Sequence, residues 1–303
     1  VDVLLSKCCA AFYDINFTIF YVSCQEFYSV FLKKQRLLKH SLTQWKTGVI
    51  LSPMSYKGRC TPMLTISNLK KSYDGKTNII DDLNLVIETG DIYGFIGHNG
   101  AGKTTTIKAI TGIHPFEGGS VVFDGISLSE QPLRYKSMLA YIPDSPDLYE
   151  SMTGIRFINF IADMFDVSAT KRDANIKKYA DAFELTGALG SPISTYSHGM
   201  KQKLAIISAL VHEPKLVVMD EPFVGLDPRA SHLLKGFMHE ICENGGSIFF
   251  STHVLEVAEK LCNKIAIIKN GKIIRSGPTD EVRGDSSLED LFLELTEQED
   301  EQA

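Results

Sequence analysis

From Met63 onward, apolar residues come in short runs separated by turn signals, and their period changes along the chain. Met63-Leu64-Thr65-Ile66 and Leu83-Asn84-Leu85-Val86-Ile87 read as strands. Ile92-Tyr93-Gly94-Phe95-Ile96 reads as a buried strand, and Thr105 to Ile110 reads as a helix. Ser120-Val121-Val122-Phe123 is a strand that ends at the Asp124-Gly125 turn. The character then changes. Ile155, Ile158, Ile161, Ala162 and Phe165 sit at helical spacing, and a second helix is expected from Lys171 to Leu185. Strands return at Leu216-Val217-Val218-Met219 and Ser247-Ile248-Phe249-Phe250. The wholly apolar first of these predicts a central parallel strand covered on both faces. Ile265 to Ile268 and Ile273-Ile274 flank Asn270-Gly271, a type I′ hairpin signal. The pattern predicts an α/β domain with a helical block inserted at about residues 145–200.

The strand at Ile92–Ile96 and the helix after it flank Gly97, His98, Asn99, Gly100, Ala101, Gly102, Lys103 and Thr104. These eight residues fit G-x-x-x-x-G-K-[ST], the phosphate-binding loop of nucleotide triphosphatases. Glycines let the backbone curl so that successive N–H groups point at a polyphosphate. Lys103 adds a charge for the β/γ oxygens, and the Thr104 hydroxyl is a hard ligand for Mg²⁺. Thr105 follows on the first helical turn and joins the phosphate-binding set. The helix N-terminus would face the phosphates.

Two further motifs lie at strand ends. Asp220-Glu221 closes the apolar strand Leu216–Met219, placing a carboxylate where it can hold Mg²⁺ through water. Glu221 can then orient and deprotonate an attacking water. A lone Asp-Glu pair is equally what an exposed strand end would give, so its weight comes from the company it keeps. Ser251-Thr252-His253 follows the next apolar strand. A single histidine is usually structural, but ligands bind at the carboxyl ends of such strands, which favours a γ-phosphate role for His253.

Tyr196-Ser197-His198-Gly199-Met200 precedes a helix from Lys201 to Leu210. Ser and Gly at a helix start make an anion-binding cap of hydroxyl and N–H groups. With this motif the chain resembles the ATP-binding subunit of ABC transporters. The family signature is Leu-Ser-Gly-Gly-Gln, and Ser197 and Gly199 are kept here. The order also matches: phosphate loop, helical block, signature, Asp-Glu strand, Gly225-Leu226-Asp227-Pro228, then His253. The resemblance covers Met63 to about Leu295. It implies the P-loop NTPase fold of ABC ATPase type, with a RecA-like core sheet, an antiparallel β subdomain and an inserted helical subdomain.

The resemblance also implies ATP and Mg²⁺ as cofactors and ATP hydrolysis as the activity. Lys103, Glu221 and His253 would be catalytic. Thr104, Asp144 and Asp220 would hold the metal. Tyr73 falls where the family stacks an aromatic ring on adenine, and Asp227 belongs to the nucleotide-binding set. Ser197 and Gly199 would reach the γ-phosphate of ATP held by a second ATP-binding subunit, so that two copies sandwich two nucleotides. The remaining partner would be a membrane-embedded permease, with the chain peripheral on the cytoplasmic face of the membrane. Two departures stand out. Asp144 replaces the usual glutamine after Tyr141-Ile142-Pro143, and His198 and Met200 replace Gly and Gln. A carboxylate can ligate Mg²⁺ as an amide oxygen can, at the cost of added negative charge beside a triphosphate. The Ser-His-Gly-Met signature in a chain with one nucleotide-binding domain is similar to the exporter-type branch, including Ecs-type ATPases of Gram-positive bacteria.

Composition adds a boundary. The 303 residues carry a net charge of −6, which leaves no nucleic-acid footprint in the total. Residues 1–62 carry eight Lys/Arg against three acids, +5, so residues 63–303 carry −11. Four of the six cysteines (Cys8, Cys9, Cys24, Cys60) and the only tryptophan, Trp45, also fall in 1–62. Cys242 and Cys262 alone serve the rest, which suggests free thiols in a reducing compartment. With no C-x-x-C, a zinc site is not expected. No apolar stretch reaches the roughly 18 residues of a membrane helix; Phe17 to Cys24 comes nearest. Residues 1–62 show no readable period. They are expected to be a poorly ordered extension: an upstream stretch included by start-site choice, a segment packing on a membrane partner, or a basic aromatic surface binder. Residues 63–295 form the ATP-binding domain. The last sixteen residues carry seven acids, expected as a short helix fraying into a solvated tail over 296–303. The competing function is a soluble ABC-type ATPase acting on a macromolecular partner outside transport. Such proteins usually carry two domains in one chain or long coiled-coil inserts, and an acidic domain does not suit a nucleic-acid track.

Overall fold

The computed structural model describes residues 62–300. The expectations for residues 1–61, Trp45 and the last three residues lie outside them. Among the described residues two sheets form. One is antiparallel, in the order β2-β1-β4-β5, built from β1 (Pro62–Ser72), β2 (Asn78–Glu88), β4 (Gly118–Phe123) and β5 (Ile126–Ser127). The other has six strands in the order β10-β9-β3-β8-β7-β6, from β3 (Ile92–Ile96), β6 (Leu139–Ile142), β7 (Leu216–Asp220), β8 (Ser247–Thr252), β9 (Lys264–Lys269) and β10 (Lys272–Pro278). Strands β9, β3, β8, β7 and β6 run parallel, and only β10 is antiparallel. Every residue of β3, β7 and β8 is buried, as continuous apolar strands covered on both faces require.

The helices are α1 (Lys103–Ile110), α2 (Pro132–Lys136), α3 (Gly154–Met164), α4 (Ala169–Ala182), α5 (His198–Leu210), α6 (Pro228–Glu243), α7 (Leu255–Leu261), α8 (Thr279–Arg283) and α9 (Leu288–Asp300). The expected helices form with shifted ends, and four more form that were not expected, α2, α6, α7 and α8. Helix α1 starts two residues before the expected Thr105. The helix expected from Lys171 to Leu185 runs from Ala169 to Ala182 instead, and Thr186–Ala188 tightens into a 3₁₀ turn. Four polar side chains fix helix starts: Thr153 accepts from Arg156 N, Ser197 from Met200 N, Asp227 from Ala230 N and Ser287 from Asp290 N. Helices α3, α4 and α5 lie between β6 and β7 in the chain, and α5 runs on to Leu210. The acidic end forms α9 as far as Asp300. The Asn270-Gly271 turn has φ 49° and 77°, the left-handed pair that a type I′ hairpin needs.

The two sheets share one core. Leu64, Ile66, Leu69 and Phe123 from the antiparallel sheet meet Phe95, Val218 and Phe249 from the parallel one, with Ile107 and Ile110 of α1 between them. A polar knot ties the β2–β3 turn to the strand starts. Buried Asp91 accepts from Glu88 N, Asn263 Nδ2 and Lys264 Nζ, and Asn263 Oδ1 accepts from Ile92 N. With each member partnered, the knot fixes the N-terminal ends of β3 and β9. Their carboxyl ends, and those of β7 and β8, then converge on the loop after β3.

Candidate nucleotide site

The phosphate loop is held from behind by the β9–β10 hairpin. Gly271 N donates to Ala101 O at 3.0 Å. A methyl group on Gly97 would come within 2.6 Å of Ile268 O, so the loop can only lie this close to β9 with glycine there. Gly102, at φ 108°, is the N-cap of α1; it supplies no side chain to the first turn, which contains no acid. The first N–H groups of an eight-residue helix therefore face outward with the positive end of its dipole, as a phosphate-binding turn requires. Lys103 is buried, and its ammonium donates to Gly97 O at 2.6 Å and His98 O at 3.3 Å. Thr104 is exposed at the mouth, with Thr105 half-buried beside it.

Across the sheet, Asp220 ends β7 and is 1% exposed. Its Oδ2 accepts from Thr104 Oγ1 at 2.6 Å, and its Oδ1 accepts from Ser251 Oγ. Burial raises its carboxyl above the usual range. The two hydrogen bonds oppose that, while the negative charges of Asp144 and Glu221 add to it. Glu221 is the next residue, with a left-handed φ of 46°. Its N–H donates to Ser251 O at 3.2 Å and to Ser251 Oγ at 3.1 Å, which holds that costly conformation. Glu221 Oε1 lies 3.6 Å from Lys103 Nζ and 3.0 Å from His253 Nδ1. Despite both approaches, this buried oxygen has no hydrogen-bond partner among the described residues. A carboxylate oxygen held beside a lysine and a histidine with its lone pairs unused is placed to accept a proton from water.

The expected residues therefore divide into groups. Lys103, Thr104, Asp220, Glu221 and His253 meet at the ends of β3, β7 and β8. Asp144 is exposed after β6 and close enough to act on Asp220, but its carboxylate accepts only from Ser145 N, at 2.7 Å. Tyr73 stands apart at the end of the antiparallel sheet, 60% exposed. Lys71 Nζ sits 5.1 Å from its ring centre and the edge of His114 packs at 5.9 Å. Ser197, Gly199 and Asp227 form a further group, in which Asp227 pairs with Lys203 at 2.8 Å. No hydrogen bond or ion pair joins this group to the phosphate loop among the described residues.

Two participants were not singled out from sequence. Ser251 was visible as a hydroxyl beside His253, yet its double duty toward Asp220 and Glu221 depends on β7 and β8 being neighbours. Tyr141 on β6 carries a buried hydroxyl without a partner, and its phenol is driven up by burial and then by Asp220 and Asp144. No set of three His, Cys, Asp or Glu side chains gathers as a metal cage among the described residues. One hydroxyl and a buried carboxylate fit Mg²⁺, which keeps waters and takes phosphate oxygens rather than an all-protein shell.

The family description "ABC transporter" matches residues 80–224. The ABC-type transporter ATP-binding protein EcsA of Bacillus subtilis is 34% identical over 242 residues, covering 78% of this chain and 98% of that protein. The lantibiotic transport ATP-binding protein SrtF of Streptococcus pyogenes is 36% identical over 230 residues, covering 76% and 96%. A solved structure described as an ATP-binding subunit of an ABC transporter superimposes with a TM-score of 0.75 at 36% identity, covering 77% of this chain and 99% of its own. Relatives matched along nearly their whole length, in sequence and in fold, leave one conclusion: the chain belongs to the ATP-binding subunits of the ABC transporter family.

Proposed function

We propose that this chain is a cytoplasmic ATPase subunit that drives a separate membrane-embedded permease, working as a pair of copies on the inner face of the membrane. The phosphate loop, Lys103 and the uncapped turn of α1 bind the triphosphate, and Tyr73 takes the adenine. Thr104 and Asp220, with Asp144 nearby, hold Mg²⁺, which neutralises charge on the phosphates when bound. Glu221 accepts the proton of the attacking water, and His253 orients it and faces the γ-phosphate. Ser197, Gly199 and Asp227 serve the site of the opposite copy. Their separation from the phosphate loop within one chain supports that division. Among the described residues no helix is long and apolar enough to cross a membrane, so a transport role calls for a spanning partner.

The observation that carries this reading is the bare Oε1 of Glu221 between Lys103 and His253. Glu221→Gln keeps the shape and removes the base. It is expected to bind ATP, to lose turnover by at least about 10²-fold, and to accumulate as an ATP-bound pair in sedimentation with Mg²⁺. Turnover near the parent rate would remove Glu221 from this role.

A further inference from the structure

His198 is the first residue of α5, where the family signature has a glycine. The Cδ2–Nε2 edge of its imidazole points at Gly225 in the loop leading to α6. A methyl group on Gly225 would come within 2.6 Å of both Cδ2 and Nε2 of His198. Gly225 has φ +80°, so its Cα is bare for two reasons: the backbone needs glycine, and the ring fills the space a side chain would take. Two more contacts join the same segments. A methyl on Gly199 would meet Gly225 O at 3.0 Å, and Lys203 Nζ lies 2.8 Å from Asp227 Oδ2. Asp227 in turn caps α6 through Ala230 N at 2.8 Å. The start of α5 and the 225–227 loop therefore approach at three points: a side chain against backbone, a backbone against backbone and an ion pair.

We infer that His198 is a positioning residue that locks the 225–227 loop onto the start of α5, so that Ser197, Gly199 and Asp227 are presented to the opposite copy as one rigid unit. In the two-copy assembly proposed above, on which this rests, those three residues come from one chain and act on nucleotide held by the other. Their mutual spacing must be set before the copies meet, since ordering a loop during association weakens it. A glycine at 198 would leave a gap beside Gly225 and one fewer contact between the two segments. The imidazole fills it without touching the copy's own phosphate loop.

The test is a double-substitution cycle in the full chain carrying Glu221→Gln, which traps the ATP-bound pair. His198→Ala is expected to raise the dissociation constant of the ATP-bound pair by about tenfold, a loss of about 1.4 kcal/mol. ATP affinity of the single copy and melting temperature should stay unchanged. Gly225→Ala alone drives a methyl into the ring and should weaken pairing more than it does in the His198→Ala background, so that the two effects do not multiply. If His198→Ala pairs as its parent does, or the two effects simply multiply, the interlock is wrong. If the Glu221→Gln parent itself never pairs with ATP and Mg²⁺, the two-copy assembly falls and the inference with it.

Discussion

Asp220 shows how one residue sets function against stability. Its carboxylate is buried at 1% exposure with only two hydrogen bonds, and its pKa is raised chiefly by burial. A carboxyl raised in the folded state stabilises the fold below its unfolded value of 3.8, and that contribution is lost as pH rises through the folded value. At neutral pH the ionised group is therefore a standing cost. Asp220→Asn keeps the acceptor for Thr104 and removes the charge. It is expected to abolish turnover yet melt higher at pH 7, by about 2–4 °C for each kcal/mol regained, with the gain shrinking toward pH 4. Calorimetry at the two pH values decides it; a lower melting temperature at pH 7 would sink the idea. At this scale the sequence was most legible where chemistry dictates local spacing, as in the phosphate loop and Asp220-Glu221. It was silent where a side chain acts across strands. The roles of Ser251 and Tyr141, and the ring of His198 over Gly225, exist only once segments distant in sequence are side by side.

At the scale of elements, α3 and α5 meet through a pair of rings. Phe165, the C-cap of α3, stacks on His212 just past α5 at 3.7 Å between centres and 11° between planes. Burial holds the imidazole at about 4, and its Nδ1 has no partner. A neutral buried histidine contributes stability that is present above 6.5 and is lost as pH falls toward about 4. The whole loss is on the order of 3 kcal/mol. His212→Phe keeps the stack and cannot titrate. Urea unfolding followed by circular dichroism should show the parent losing more stability than the variant between pH 7 and pH 5; equal losses would clear His212 of the effect. Elements with a strong period were read well: the expected Ile92–Ile96 strand matches β3 at both ends. Strand β1 runs to Ser72, six residues past the expected Ile66, because register shifts after Ile66 and Leu69 break the alternation that marks a strand. Helices α2, α7 and α8 were missed because five to seven residues are too few to show a period, and α6 was missed although it has sixteen residues with Ala230, Leu234 and Met238 on its buried side. The end of α4 was overrun because Phe183 and Leu185 continue the apolar spacing while the backbone has already turned.

For the whole molecule, everything assigned to nucleotide chemistry lies from Tyr73 to His253, and the first described strand begins at Pro62. A chain starting at Met63 is expected to fold and bind ATP with the affinity of the full chain, by calorimetric titration. A shortened chain that cannot bind ATP would make residues 1–62 integral to the domain. The order of strands has a separate consequence for synthesis. Strand β3 carries the phosphate loop, but its neighbours are β8 and β9, made some 150 residues later. Thr104 likewise waits 116 residues for Asp220. A growing chain on the ribosome thus displays a five-residue apolar strand with both edges open until the last stretch emerges, which is the kind of segment that chaperones shield. Competence to turn over ATP then arrives late and all at once, with the strands that bring Asp220, Ser251 and His253 to a loop finished long before.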